Sequence, residues 1–186
     1  MKIQRAVANA NKWTFTITPI KNLILKYVKD GTNWVDPFAG FYSPAKRKFT
    51  NDINPDSPSK YHMEAAAFCE MLQGEFEGII FDPPYSPRQI KECYQNLGLE
   101  SAYKNNSWYN NVKNAICDKI KPGGYAISCG WNSHGFGQNR GFEIIEILMV
   151  CHPGGEAYDT IVTIERKVNQ KLIPLAEGSQ KWTQTN

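Results

Sequence analysis

The pattern of apolar and polar residues divides the chain into short segments. Some of these segments predict strands, and others predict amphipathic helices. The best-marked helix has Thr18 as its N-cap and Pro19 as its first helical residue, and apolar residues follow at helical spacing as far as Val28. Strands are predicted at 34–35, 48–51, 61–63, 78–81 and 125–129. Further helices are predicted at 65–72, 89–97 and 107–120, the last closed by 121–124. This alternation indicates an α/β domain with a mostly parallel sheet.

Two long apolar runs, 142–150 and 160–166, break this alternation. The segment that joins them is too short for a parallel crossover with its helix, and it contains Pro153 and Gly154. We therefore expect the two runs to form an antiparallel hairpin. A single domain is predicted over 1–171, followed by a polar tail over 172–186.

Composition narrows the class of protein only a little. A length of 186 residues suits one domain, and a net charge of +3 permits a polyanionic partner without requiring one. The five cysteines are widely spaced, which favours reduced thiols in a cytoplasmic protein, and the three histidines lie too far apart to predict a metal site. The N-terminus lacks the apolar core of a signal peptide, and no run approaches the ~20 apolar residues of a membrane span, so we expect no membrane partner.

Four acidic residues come directly after predicted strands. They are Asp36, Asp52, Glu64 and Asp82. Each alone could cap a helix or begin a turn. In an open α/β sheet, ligands bind outside the carboxyl ends of the strands. The four residues together therefore predict a ligand-binding site lined by carboxylates on one rim of the sheet.

Two motifs on this rim resemble a known family. Asp36 Pro37 Phe38 Ala39 Gly40, followed later by Asp82 Pro83 Pro84 Tyr85, is similar to the S-adenosylmethionine-dependent amino-methyltransferases with a DPPY motif, specifically the adenine-N6 DNA methyltransferases. The likeness extends over about 11–167, and the chain resembles a small form without a separate target-recognition domain. It implies a Rossmann-like class I methyltransferase fold, with a mostly parallel seven-stranded sheet whose last strand is antiparallel, and S-adenosyl-L-methionine as the cofactor.

The resemblance implies a catalytic role for Asp82, Pro83, Pro84 and Tyr85. Adenine's exocyclic amine is a poor nucleophile because its lone pair is delocalised into the ring. The Asp82 carboxylate and the Pro83 carbonyl would each hold one amino hydrogen, and consecutive prolines, which fix φ near ~−65°, would aim that carbonyl. Tyr85 would stack on an adenine rotated out of the DNA duplex.

The resemblance also implies cofactor contacts. Gly40 would allow close approach of the backbone to the methionine part, Asp52 would accept hydrogen bonds from the ribose hydroxyls, and Ile53 would cover one face of the cofactor adenine. The remaining implied contacts are Thr14, Phe15, Asp36, Pro37, Phe38 and Glu64.

The sequence departs from the family pattern in two ways. Only 41–47 separate Gly40 from the next predicted strand, whereas a parallel crossover with its helix needs ~10 to 12 residues, so the first crossover helix should be reduced or absent. A homodimer or DNA could cover the flank that this leaves open. Without a recognition domain, target choice would fall to the loop 99–111, and 132–140 is expected to be a mobile loop near the site.

The resemblance therefore implies an enzyme that methylates N6 of adenine in DNA. Cytosine N4, adenine in RNA and a protein amide remain open as acceptors, since each presents an NH₂ group on an sp² carbon. A catalytically silent nucleic-acid-binding subunit remains open as well, because the crossover helix and the recognition domain are both missing.

Overall fold

A mixed six-stranded sheet forms the centre of the computed structural model, which describes residues 1–101, 107–154 and 158–168. The strands are β1 (Lys2–Val7), β2 (Trp34–Val35), β3 (Phe76–Phe81), β4 (Ile120–Gly130), β5 (Phe142–Cys151) and β6 (Thr160–Lys167). Their order is β1-β5-β6-β4-β3-β2. Strand β6 runs antiparallel to β4 and β5, and the other neighbouring pairs are parallel. The expected antiparallel pairing of the two C-terminal apolar runs is thus confirmed.

The described residues form four α-helices, three of which pack on the two faces of this sheet. They are α1 (Thr18–Val28), α2 (Ala65–Met71), α3 (Pro87–Asn96) and α4 (Ser107–Cys117). Helix α1 packs on one face, where Ile80 and Ile127 lie, and α2 and α4 pack on the other, where Ile79 and Phe81 lie. Because the second half of β3 is buried on both faces, 78–81 is a continuous apolar run rather than an alternating one.

The described residues form six strands rather than the expected seven. The predicted strands at 48–51 and 61–63 contribute only single bridges, Asp36 with Thr50 and Asn51 with Tyr61. A 3₁₀ helix over Arg47–Phe49 occupies half of the first segment, which leaves too little extended chain for a ladder. Strand β1, in contrast, was not predicted, because it lies at the sheet edge with few buried side chains.

The reduced first crossover is confirmed. Between β2 and the bridge at Thr50, the described chain contains only the 3₁₀ helix over Arg47–Phe49. Two helix boundaries differ from the prediction: Thr18 is the first residue of α1 and not its N-cap, and α4 ends at Cys117, before 121–124. Residues 121–124 instead form a bulge of β4, opposite the step from Phe76 to Gly78.

Gly78 allows β2 and β3 to pack closely. A Cβ atom at this position would lie 2.5 Å from the ring of Trp34 and 2.7 Å from the carbonyl oxygen of Tyr125. Glycine is therefore required by space, and the Trp34 ring covers the position that a methyl group would take.

No helix within 1–101, 107–154 or 158–168 is long and apolar enough to cross a membrane. The predicted polar tail lies outside the described residues.

Candidate active site

A cavity of about 960 Å³ opens where β2 and β3 end. Its lining includes all of the site residues expected from the sequence except Asp36 and Glu64: Thr14, Phe15, Pro37, Phe38, Gly40, Asp52, Ile53, Asp82, Pro83, Pro84 and Tyr85. Three distant parts of the chain therefore meet at one rim of the sheet.

Asp82 follows β3 directly and points its carboxylate at Tyr85. The Tyr85 hydroxyl donates a hydrogen bond of 2.7 Å to Asp82 Oδ1, and Thr14 Oγ1 lies 3.4 Å from the same hydroxyl. Burial raises the pKa of Asp82 to about 6, although hydrogen bonding by Tyr85 and Thr14 opposes this rise. Burial and the nearby Asp82 carboxylate raise the pKa of Tyr85, so Tyr85 stays a neutral donor.

Hydrogen bonds to two helices fix the backbone at Pro84 and Tyr85. The Pro84 carbonyl accepts a hydrogen bond of 2.9 Å from the Tyr109 hydroxyl on α4, and the Tyr85 amide donates to Gln89 Oε1 on α3 at 2.7 Å. Within the described part of the chain, the Pro83 carbonyl oxygen has no hydrogen-bond donor. This carbonyl remains able to accept a hydrogen bond from a ligand.

Asp52 joins two loops of the cavity. Its Oδ2 accepts a hydrogen bond of 2.8 Å from the Gly40 amide, and its Oδ1 accepts one of 2.8 Å from the Asn54 amide. Each carboxylate oxygen keeps a second lone pair, so Asp52 can also accept hydrogen bonds from a ligand.

Asp36 lies behind the cavity wall instead of facing the cavity. Its carboxylate is fully buried and accepts hydrogen bonds from the Ser43 hydroxyl at 2.6 Å and the Phe38 amide at 3.0 Å. Burial raises its pKa to about 7, against the effect of those two hydrogen bonds, and the nearby Asp82 and Asp52 raise it further. Asp36 therefore shapes the loop 37–43, and the direct cofactor contact implied for it does not match this position.

Glu64 also stays outside the lining, although Met63 and Ala65 on either side belong to it. The Tyr94 hydroxyl donates a hydrogen bond to Glu64, and Tyr94 itself lines the cavity. A ligand in this part of the cavity would meet Tyr94 before Glu64.

Three carboxyl groups lie close together in and just behind the cavity wall. Asp36, Asp52 and Asp82 are close enough that the latter two raise the pKa of the first. The basic side chains in the lining are engaged at its edge: Lys12 lies over the Trp13 ring, 4.8 Å from its centroid, and Arg88 pairs with Glu92 at 2.7 Å. These carboxyl groups suit a positively charged ligand.

The described residues contain no group of three His, Cys, Asp or Glu side chains placed to hold a metal ion. Of the predicted recognition loop, 102–106 lies outside the described residues. Trp108, from the described part, lines the cavity and packs against Phe38 with ring centroids 5.6 Å apart.

Several lining residues were missed from the sequence. They include Trp13, Tyr94, Trp131, His152 and Tyr158. Trp131 follows β4 directly, and His152 follows β5. Both residues follow the general rule that ligands bind at the carboxyl ends of strands, and that rule is the sequence signal for them.

Comparison with profiles of known protein families and with curated proteins found no match. Among solved structures, the N-methyltransferase NodS from Bradyrhizobium japonicum WM9 is similar, with a TM-score of 0.54 and 10% identity over 80% of this chain and 94% of NodS. NodS in complex with S-adenosyl-L-homocysteine gives a TM-score of 0.51 and 11% identity over 79% of this chain and 84% of NodS. The chain has the fold of a methyltransferase.

TrmN from Thermus thermophilus is similar to the same degree, with a TM-score of 0.54 and 13% identity over 82% of this chain. The chain spans about half of TrmN, 49% of its length. At these identities the likeness concerns the fold alone.

Proposed function

We propose that this protein transfers a methyl group from S-adenosylmethionine to the exocyclic N6 of adenine in DNA. The observation that carries this proposal is the position of Asp82, which ends β3 inside the cavity and is followed by two fixed prolines and Tyr85. No lysine or arginine among the described residues forms an ion pair with Asp82. Its carboxylate is thus available to a ligand.

Asp82 and Pro83 offer the two acceptors that an exocyclic amine needs. The Asp82 carboxylate would take one amino hydrogen and the Pro83 carbonyl the other. A nitrogen held in this way becomes more pyramidal, and its lone pair points away from both acceptors. Positioning of this kind supplies much of the rate when the methyl donor is already activated.

The charge state of Asp82 supports this role. With a pKa of about 6, Asp82 is mostly ionised at neutral pH and accepts hydrogen bonds. Tyr85 donates to the same carboxylate and holds its orientation.

The cavity suits S-adenosylmethionine, which when bound supplies a methyl group on a positively charged sulfur. Asp52 would hold the ribose hydroxyls, and the carboxyl groups in and just behind the cavity wall would offset the positive charge. A volume of about 960 Å³ lies at the upper end of the range for small-molecule sites, about 300–1,000 Å³, and leaves room for a base beside the donor. The similar fold of NodS, solved with S-adenosyl-L-homocysteine, agrees with this choice.

A DNA base would reach Asp82 only after leaving the duplex, since the carboxylate lies inside a cavity. Two aromatic rings lie beside the position proposed for such a base. Tyr85 is next to Asp82, and the ring centroid of Trp131 is 5.9 Å from that of Tyr85. Stacking on aromatic rings replaces the neighbours that an extruded base loses.

The proposal is tested by incubating the protein with DNA and S-adenosylmethionine carrying an isotopically labelled methyl group. The DNA is digested to nucleosides and analysed by mass spectrometry. We expect labelled N6-methyldeoxyadenosine, and its absence with Asp82→Ala but not with Asp56→Asn, which changes an exposed loop carboxylate. Labelled N4-methyldeoxycytidine would identify a different acceptor, and label in Asp82→Ala samples would refute the role of Asp82.

Calorimetric titration with S-adenosylmethionine separates this enzyme from a silent nucleic-acid-binding subunit. An enzyme binds the cofactor with measurable heat, whereas a silent subunit shows none. Asp52→Ala should weaken that binding if Asp52 holds the ribose.

A further inference from the structure

A second cavity, of about 360 Å³, adjoins the first. Pro83, Tyr85 and Trp131 line both cavities and form the wall between them. The other sides of the second cavity come from α4, from the end of β4 and from the loop 132–140.

Ser128 on β4 places a buried hydroxyl beside this cavity. The residue is only 8% exposed, and it belongs to the lining. Among the residues that the structure describes, its Oγ finds no hydrogen-bond partner. A buried hydroxyl without a partner costs free energy, which a bound ligand that pairs with it would recover.

The charges around the second cavity favour an anion. Lys113 and Arg140 line it, while one buried carboxylate, Glu165, lies next to it. Both oxygens of Glu165 are engaged by backbone amides, those of Phe136 at 2.6 Å and Gly137 at 2.8 Å. Burial and the nearby Arg140 lower the pKa of Lys113 to about 8, so Lys113 is still mostly charged at neutral pH. Two positive charges against one negative charge leave a net attraction for a single anionic group.

The walls of this cavity are already in place. Arg140 donates hydrogen bonds to Asn110 and Asn114 on α4 at 3.0 and 2.8 Å, which ties the loop to that helix. Gly135 has φ +50°, and a Cβ atom there would lie 2.2 Å from the Glu165 carboxylate. The loop expected to be mobile is thus anchored by Glu165 and Arg140.

We propose that the second cavity binds the nucleotide that adjoins the target base on an unpaired strand. This inference rests on the proposed function, because the target base must reach Asp82 in the first cavity. A ligand behind the shared wall would then be the next residue of the same strand. Its single phosphodiester charge matches the charge balance, and its base would meet Trp131 and the amide side chains of Asn132 and Asn139.

A matched pair of variants tests the contact at Ser128. Thr163, directly opposite Ser128 on β6, also has a buried hydroxyl without a partner among the described residues, but it does not line the cavity. The probe is a fluorescent oligothymidylate with one central adenine, compared with strands in which the 5′ or the 3′ neighbour of the adenine is abasic. Affinity is measured by fluorescence anisotropy.

We expect Ser128→Ala to weaken binding of the intact strand by about threefold to tenfold and Thr163→Val to leave it unchanged. The effect of Ser128→Ala should disappear for one of the two abasic strands. An equal response of both variants, or a Ser128→Ala effect that persists on both abasic strands, would overturn the inference.

The salt dependence of binding tests the phosphate contact. Lys113→Gln should reduce the slope of log affinity against log salt by about one, whereas Lys21→Gln, on the exposed side of α1, should not. An unchanged slope for Lys113→Gln would contradict the contact.

The proposed function and the proposed second site would fail in different experiments. Neighbour-dependent binding without any methyl transfer would refute the proposed function and leave the second site standing. Methyl transfer to adenine with no effect of the neighbouring nucleotide would do the reverse.

Discussion

Two carboxylates, Glu146 within the sheet and Asp82 at the end of β3, have different electrostatic surroundings. Glu146 on β5 is 2% exposed and accepts hydrogen bonds from Gln4 and Lys26, each at 2.6 Å, and from Tyr27, with Lys2 3.3 Å away. Burial alone would raise its pKa, but hydrogen bonds from Lys26, Tyr27 and Lys2 outweigh this effect and hold the pKa at about 2.

Asp82 has no such cationic neighbours among the described residues, and burial raises its pKa to about 6. The same kind of group is thus stabilised by cations in one place and left without them in another, where we propose that it holds the acceptor amine. Glu146 holds β1 and α1 against β5, whereas Asp82 keeps hydrogen-bonding capacity for a ligand at a cost in stability.

The largest expected effect is on catalysis at Asp82. Asp82→Asn keeps the shape of the side chain but replaces one carboxylate oxygen by a donor, so it should lower kcat by about 100-fold to 1,000-fold. Methyl transfer to deoxyadenosine in DNA measures this, with cofactor affinity by calorimetry as the control. A variant that keeps a third of the native rate would show that Asp82 does not hold the amine.

The next effect is on stability at Glu146. Glu146→Gln removes the charge that Lys26 and Lys2 surround, and we expect the free energy of unfolding at pH 7 to fall by about 2–3 kcal/mol. Urea denaturation measures this. Glu143→Gln, on the same strand but exposed, should change stability by less than about 0.5 kcal/mol.

The pH dependence of stability sharpens the same contrast. Because the folded pKa of Glu146, about 2, lies below its ordinary value of 4.5, its stabilisation is complete above pH 4.5 and is lost as the pH falls toward 2. Glu146→Gln should show a smaller loss over this window than the native protein. Equal losses would mean that Glu146 is not the group that titrates.

Asp82 should show the opposite sign. Its folded pKa, about 6, lies above its ordinary value of 3.8, so its ionisation removes stability as the pH rises from 3.8 through 6. Asp82→Asn should therefore be more stable than the native protein at pH 7, by about 1–3 kcal/mol. Thermal unfolding tests this, and a destabilised variant would contradict it.

Activity should follow the ionisation of Asp82. Below its pKa of about 6, kcat/KM should fall by about tenfold per pH unit, because the neutral acid no longer accepts hydrogen bonds as a carboxylate does. A profile that stays flat down to pH 5 would exclude Asp82 as the required acceptor.

The smallest expected effect comes from the Tyr85 hydroxyl. Tyr85→Phe keeps the ring but removes the hydrogen bond to Asp82, so kcat should fall only about threefold to fivefold. Because this hydrogen bond lowers the pKa of Asp82, its loss should also move the acidic limb of the pH profile upward. Tyr85→Ala, which removes the ring as well, should be slower than Tyr85→Phe.

The sequence predicted the buried strands of the sheet better than its exposed strand β1. Strand β3 and the pair β5 and β6 were found because burial makes their sequences apolar. Strand β1 was missed because its stability comes from backbone pairing and from the contact of Gln4 with Glu146, which no local pattern reveals.

The candidate site was predictable as far as it depends on strand ends. Asp82 and Asp52 line the cavity as expected, since each follows a chain segment that pairs in or beside the sheet. Asp36 differs because Ser43 folds back to bind it, and such a partner cannot be identified from spacing alone. The second cavity was not predicted, because its lining comes from α4, β4 and a loop that only tertiary packing brings together.

The bare backbone at Gly78 limits how this protein can be redesigned. Even one added methyl group would push against Trp34 and the neighbouring strand, and so would displace the segment that ends at Asp82. Efforts to change the acceptor can therefore vary the loops around the cavity. The position of Asp82, in contrast, depends on a glycine at residue 78, four residues before it.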